Sequence, residues 1–102
     1  MAIARDPSRM GVPVHPGEVL LEEFLRPLGL SQADLARHLR ISRQTLYDLM
    51  EEKRSVSVDM AARLSLAFGN SARFWLNLQA NHDAWGAERV AEKLNISPFA
   101  VA

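Results

Sequence analysis

Six apolar or small residues between Leu35 and Leu49 constrain the fold of this chain more than any other feature. They are Leu35, Ala36, Leu39, Ile41, Leu46 and Leu49. The first three form the stripe of a short helix in "SQADLARHL". Ser31 is its N-cap, and Asp34 approximates the partner of a capping box. Leu46 and Leu49 belong to a further helix, predicted over residues 43–51 with Ser42 as N-cap. Only Arg40, Ile41 and Ser42 separate the two. Leu35 and Leu39 then face a core, and Ala36 is small because the helices cross there at close range. Ile41 plugs the turn, while Leu46 and Leu49 seat the second helix. The order, the turn length and the small residue at the crossing distinguish this pattern from a plain helical hairpin.

The pattern is that of a helix-turn-helix. At 100° per residue from Arg43, Tyr47 lies at about 40°, Glu51 at about 80°, Gln44 at about 100° and Asp48 at about 140°. Leu49 and Leu46 lie at about 240° and about 300°, so polar and apolar arcs oppose each other. Arg43 and Gln44 occupy the helix N-terminus, the end such motifs present to base edges. Arg forks to guanine and Gln pairs with adenine. A solvated helix face is the competing reading of both. Thr45, at about 200°, suits backbone contact or support of the cap. Gln32 opens the preceding helix, where outward N–H groups sit over a phosphate. Lys53 and Arg54 follow the second helix and suit another phosphate clamp, with a merely solvated charge pair as the alternative.

The rest of the chain divides by caps and stripes. Residues 1–14, with Pro7, Gly11 and Pro13 and no period, read as a flexible arm. "HPGEVLLEEFLRPLGL" is a first helix with Pro16 at its first position, acids in its early turns and Gly29 as C-terminal cap. Its stripe is Val19, Leu20, Phe24 and Leu28. A fourth helix is predicted from Val58 to Phe68 between Ser57 and Gly69. A fifth follows Ser71, with Phe74, Trp75 and Leu78 as its apolar side. "DAWGAERVAEKLN" is predicted as a sixth, with Val90, Ala91 and Leu94 as a short stripe. No strand pattern or internal repeat is present. The expectation is an all-α domain of five or six helices. It has an arm over 1–14, a helix-turn-helix unit over 15–83, and a C-terminal helix and tail over 84–102.

Bulk properties exclude several function classes. Twelve basic and twelve acidic residues give a formal net charge of zero, unlike a bulk nucleic-acid coat protein. The absence of cysteine excludes disulfides and Cys-based zinc sites. His15, His38 and His82 lack metal-ligand spacing, and no phosphate-cradling Gly loop or defensible Ser–His pairing exists. Glu22 and Glu23 read as a solvated helix face rather than an acid–base pair. The chain is therefore expected to be no enzyme and to need no cofactor or metal. The N-terminal stretch lacks the apolar core of a secretory signal, and no apolar run is long enough to span a bilayer. A cytoplasmic location with no membrane partner is expected.

The segments "HPGEVLLEEFL", "PLGLSQADLA", "KRSVSVDMAARLSLAFG" and "FWLNLQANHD" together resemble the HigA-type antitoxins, also described as plasmid-maintenance antidote proteins, of the Xre/Cro helix-turn-helix group. The resemblance runs from about His15 to Asp83. It implies a five-helix lambda-repressor-like core, a homodimer, and a palindromic double-stranded operator in the antitoxin's own promoter. It also implies capture of a small basic HigB/RelE-like toxin that cuts mRNA. Carried over by position, Arg43, Gln44, Tyr47 and Asp48 read bases, while Gln32, Ser42, Thr45, Lys53 and Arg54 serve phosphates. "FWLNLQ" reads as core rather than site. Two departures stand out. Arg40 occupies the turn position that usually holds Gly, and Glu52 replaces a loop Gly just before the basic pair. A left-handed non-Gly residue costs on the order of 1 kcal/mol, and a carboxylate beside a phosphate is repulsive.

The apolar C-terminal end, Val90, Leu94, Ile96, Phe99 and Val101, has nothing evident to bury against within one chain. It is predicted to form the dimer contact. Two other readings share the same reading helix. One is a stand-alone transcriptional regulator without a toxin. The other is a protein-binding adaptor that has lost DNA binding, motivated by the neutral charge, Glu51 and Glu52.

Overall fold

The computed structural model describes Arg9 and residues 11–100. The rest of the expected arm, and Val101, lie outside the described residues. Among these, five helices and no strands are present. Helix α1 passes without a break through Pro16–Val19, a π-helical stretch Leu20–Leu25, and Arg26–Leu28. The others are α2 (Gln32–Leu39), α3 (Arg43–Met50), α4 (Val58–Phe68) and α5 (Ala72–Ala91). No helix of the described residues is long and apolar enough to cross a membrane.

Local chemistry sets the boundaries. Ser31, Ser42, Ser57 and Ser71 each accept a backbone N–H three residues on, as N-caps do. At the end of α1, Gly29 (φ 64°) turns left-handed. Its N–H reaches Arg26 O at 3.2 Å and the Leu30 N–H reaches Leu25 O at 3.0 Å, the double closure of a Schellman motif. The same closure ends α2 at Arg40 (φ 59°) and α3 at Glu52 (φ 61°). Both non-glycine residues thus take the backbone conformation that made them anomalous.

Two expectations are corrected. The sixth helix does not exist as a separate element, because α5 runs on through Asn81–Asp83. Gln79 Nε2 donates to Asp83 Oδ1 at 2.9 Å across that point, and Gly86 costs only about 1 kcal/mol in a helix. In α1, Leu28 is not core: it is 61% exposed, whereas Leu25 is 3% exposed. The π-helical turns advance the buried stripe by a residue. They precede Pro27, whose ring would press on the carbonyl four residues back in a tighter helix.

The core is one cluster centred on Leu20, Leu46, Leu49, Ala61, Leu64 and Trp75. Leu35, Ala36 and Leu39 join it, and Ile41 packs half-buried against it. α1 packs on α3 and α5, α2 on α3 and α4, and α4 on α5. Trp75 lies against Phe24 (ring centroids 5.3 Å) and Phe68 (6.3 Å), and its indole N–H donates to Asn70 Oδ1 at 2.8 Å. Phe74 meets Trp75 edge-on but stays partly exposed. In α5 only Trp75 and Gln79 are buried, so its C-terminal half projects from a molecule 56 × 31 × 23 Å in extent.

Candidate nucleic-acid interface

The N-terminal end of α3 is open to solvent. Arg43, Gln44 and Tyr47 are exposed and Asp48 is half-buried, while Leu46, Leu49 and Met50 face the core. The arcs deduced from helical period hold. Ser42 Oγ accepts from the Thr45 N–H at 3.0 Å and donates to Thr45 Oγ1 at 2.8 Å. Thr45 therefore stiffens the cap. Gln44 Nε2 donates to Asp48 Oδ1 at 2.8 Å, a bond on its own helix that base pairing would have to replace. Lys53 Nζ lies 5.6 Å from the centre of the Tyr47 ring, so the basic loop folds back toward the exposed arc.

Gln32 stands exposed at the first position of α2, and the loop residues Lys53 and Arg54 are exposed after α3. Two helix N-termini, one exposed polar arc and one basic loop together offer what a duplex needs: base-edge groups flanked by phosphate donors.

Several residues that hold this frame escaped the sequence reading. Arg63 of α4 donates to the carbonyl oxygens of Leu39 (2.8 Å) and Arg40 (3.3 Å), and its Nε pairs with Asp59 at 2.7 Å. It thereby satisfies carbonyls at the end of α2 and fixes the turn. Gln79, buried in α5, accepts the Val56 N–H at 2.7 Å and so anchors the loop carrying Lys53 and Arg54. His15 caps α1, with Nδ1 accepting the Gly17 N–H at 2.9 Å. Gly17 permits a close approach of α1 to α3, since a Cβ there would lie 1.9 Å from Leu49 O. His15 and Gly17 were visible within "HPGE" and Gln79 within "FWLNLQ", but their partners are distant in sequence.

Glu52 also changes meaning. Its carboxylate is engaged by Arg9, with Nη1 at 2.7 Å from Oε2 and Nη2 bonded to Oε1. That guanidinium holds the Glu52 carboxyl below its ordinary 4.5. His15 is pushed below its ordinary 6.5, chiefly by burial, with the charges of Glu52, His82, Asp83 and Arg9 acting in both directions. The His15 and His82 rings meet edge-on at 4.9 Å.

A helix-turn-helix family model matches residues 21–75, more than half the chain. The chain belongs to the Xre-type helix-turn-helix family. Virulence-associated protein I of Dichelobacter nodosus is 41% identical over 83 residues, 81% of this chain and 77% of that protein. Antitoxin HigA-1 of Vibrio cholerae is 37% identical over 73 residues, 72% of this chain and 69% of that one. The solved structure of Pseudomonas aeruginosa antitoxin HigA with the higBA promoter is 42% identical. It covers 85% of this chain and 98% of its own, with a TM-score of 0.73. This Xre-type chain is thus a HigA-like DNA-binding regulator, in a family of antitoxins and transcription regulators rather than enzymes.

Proposed function

We propose that the chain is a cytoplasmic antitoxin that binds a palindromic operator in its own promoter as a homodimer and neutralises a HigB/RelE-like toxin. The observation that carries the DNA part is the exposed N-terminal end of α3, seen beside a similar HigA structure bearing its promoter. In this reading Arg43 and Gln44 read bases, with Tyr47 and Asp48 lining the same arc. Gln32, Ser42, Thr45, Lys53 and Arg54 meet phosphates. One such unit covers half an operator, and two-fold symmetry supplies the rest.

The dimer contact is assigned to the projecting end. Val90 is 57% exposed, Leu94 54%, Ile96 80% and Phe99 93%, a run of apolar surface that a second copy would cover. Leu94→Glu with Phe99→Glu is expected to yield a folded monomer in analytical ultracentrifugation. A dimer that persists refutes the assignment.

Operator binding is tested by gel shift with the promoter duplex. Arg43→Ala with Gln44→Ala should abolish the shift while the chain stays folded and still neutralises toxin. Unchanged affinity sinks the base-reading assignment. Co-expression with the product of the neighbouring reading frame tests the toxin. Relief of growth arrest and co-purification support the antitoxin, and their absence leaves a regulator without a toxin. The adaptor reading loses much of its motive, because Glu52 is occupied within the chain.

A further inference from the structure

Glu52 is the residue that DNA binding explains least: a carboxylate directly before the basic pair Lys53-Arg54. The structure gives it a partner from far away in sequence. Arg9 grips both carboxylate oxygens in a two-pronged pair, the geometry in which arginine binds carboxylate most firmly. The pair is sheltered, with the Arg9 side chain 36% exposed and that of Glu52 21%. Arg9 Nη1 also stands 3.6 Å from Glu18 Oε1 on α1. On the far side of the loop, Gln79 holds the Val56 N–H. Lys53, Arg54 and Ser55, all exposed, are therefore strung between two clasps. One of these clasps comes from outside the helical core.

We propose that Arg9 is a positioning residue for DNA binding, which neutralises Glu52 beside the phosphate-contacting Lys53 and Arg54 and holds the left-handed end of α3 in place. The charge argument is direct. An ionised carboxylate next to two cations cancels part of the field that attracts phosphate, and in water-exposed loops this acts over about 10 Å. With Arg9 seated, the local balance favours phosphate. With Arg9 drawn away, Glu52 and Glu18 both lose a counter-charge on the same side of the loop. Any partner that captures the segment bearing Arg9 would therefore weaken DNA binding without touching α3. The inference rests on the DNA-binding reading above and deepens it by adding a control point.

A double-mutant cycle tests it. The full chain is titrated against a fluorescein-labelled duplex of its own promoter, by anisotropy, from 50 to about 200 mM salt. Arg9→Ala should weaken binding roughly tenfold at the low-salt end while the chain stays folded, with at most a small drop in its thermal melt. Arg9→Lys should keep most of the affinity. Glu52→Gln should bind at least as well as the wild type. In the Glu52→Gln background, adding Arg9→Ala should change affinity less than about twofold, because the charge to be neutralised is gone. Equal losses from Arg9→Ala in both backgrounds would mean that Arg9 acts on DNA itself and would overturn the proposal, as would no loss in either. A folded wild-type chain that ignores the duplex overturns the DNA-binding reading and this inference with it. Wild-type binding without Arg9–Glu52 coupling overturns the inference alone.

Discussion

The two ends of α3 are built in opposite ways. At the N-terminal end the side-chain bonds are local: Ser42 to Thr45, and Gln44 to Asp48. At the C-terminal end the helix is gripped by the rest of the molecule. Leu49 and Met50 are buried, the backbone of Gly17 lies against Leu49 O, and Arg9 reaches Glu52. A helix that reads a ligand needs side chains free to exchange partners on an axis that does not move. Fixing the axis at one end and leaving the other end solvated meets both needs.

The sharpest way to break this contrast is Gly17→Ala. The added Cβ would sit 1.9 Å from Leu49 O, 2.8 Å from Leu49 C and 3.1 Å from Met50 Cα. All three are backbone atoms, so no rotamer change relieves the clash. A loss of about 3 kcal/mol or more is expected in urea unfolding, the upper range for overpacking. Arg43→Ala with Gln44→Ala, at the other end, should leave the urea midpoint nearly unmoved.

This asymmetry also explains what the sequence disclosed. The N-terminal end of α3 follows local rules, a serine cap and a 3.6-residue period, so Ser42, Arg43 and Gln44 could be placed from residues alone. The same rules placed α4 and its Gly69 cap. The C-terminal end depends on α1 and Arg9, and no spacing rule connects Gly17 to Leu49 or Arg9 to Glu52. Glu52 therefore read as an unexplained acid rather than half of an ion pair. Leu28 was misplaced for another reason: the wider turn that Pro27 demands upstream does not show in a 3.6-residue count. The break predicted after α5's first half failed because Asn81–Asp83 contains no proline or glycine to stop a helix, and Gln79 and Asp83 bridge the point.

Gln79→Ala probes the second clasp of the loop after α3. It leaves the buried Val56 N–H without its acceptor, a penalty of about 1–3 kcal/mol. The midpoint of thermal unfolding should fall, and hydrogen exchange at Val56 should quicken while exchange early in α3 is unchanged. If the Val56 amide stays protected in the variant, the loop is held by something other than Gln79.

Acid should act on the anchored end first. His15 Nδ1 accepts the Gly17 N–H, and burial pushes its pKa below 6.5. Between that folded value and 6.5 the unfolded chain binds more protons, so stability falls as pH drops below about 6.5. Glu52, with its pKa held below 4.5 by Arg9, contributes stability that is present above 4.5 and is lost as pH falls through its folded value. The two losses occupy successive windows. His15→Asn keeps an N-capping acceptor and cannot titrate, so it should flatten the melting temperature in the window just below pH 6.5 while leaving the lower window. A pH profile identical to wild type would show that the His15 cap does not govern acid sensitivity.

The smallest effect separates the two left-handed residues themselves. Arg40 and Glu52 have nearly the same φ, 59° and 61°, and the same Schellman closure. Their surroundings differ. At Arg40 the carbonyl is held by Arg63, a bond that survives any side-chain change, and the side chain is exposed. Arg40→Gly therefore removes strain and costs little, and should stabilise by roughly 0.5–1 kcal/mol in urea unfolding. Glu52→Gly relieves similar strain but discards the pair with Arg9, so its net change should be smaller and should depend on salt as Arg40→Gly does not. Equal gains at both sites, insensitive to salt, would mean that the Arg9 pair adds nothing to stability and that its value lies in binding alone.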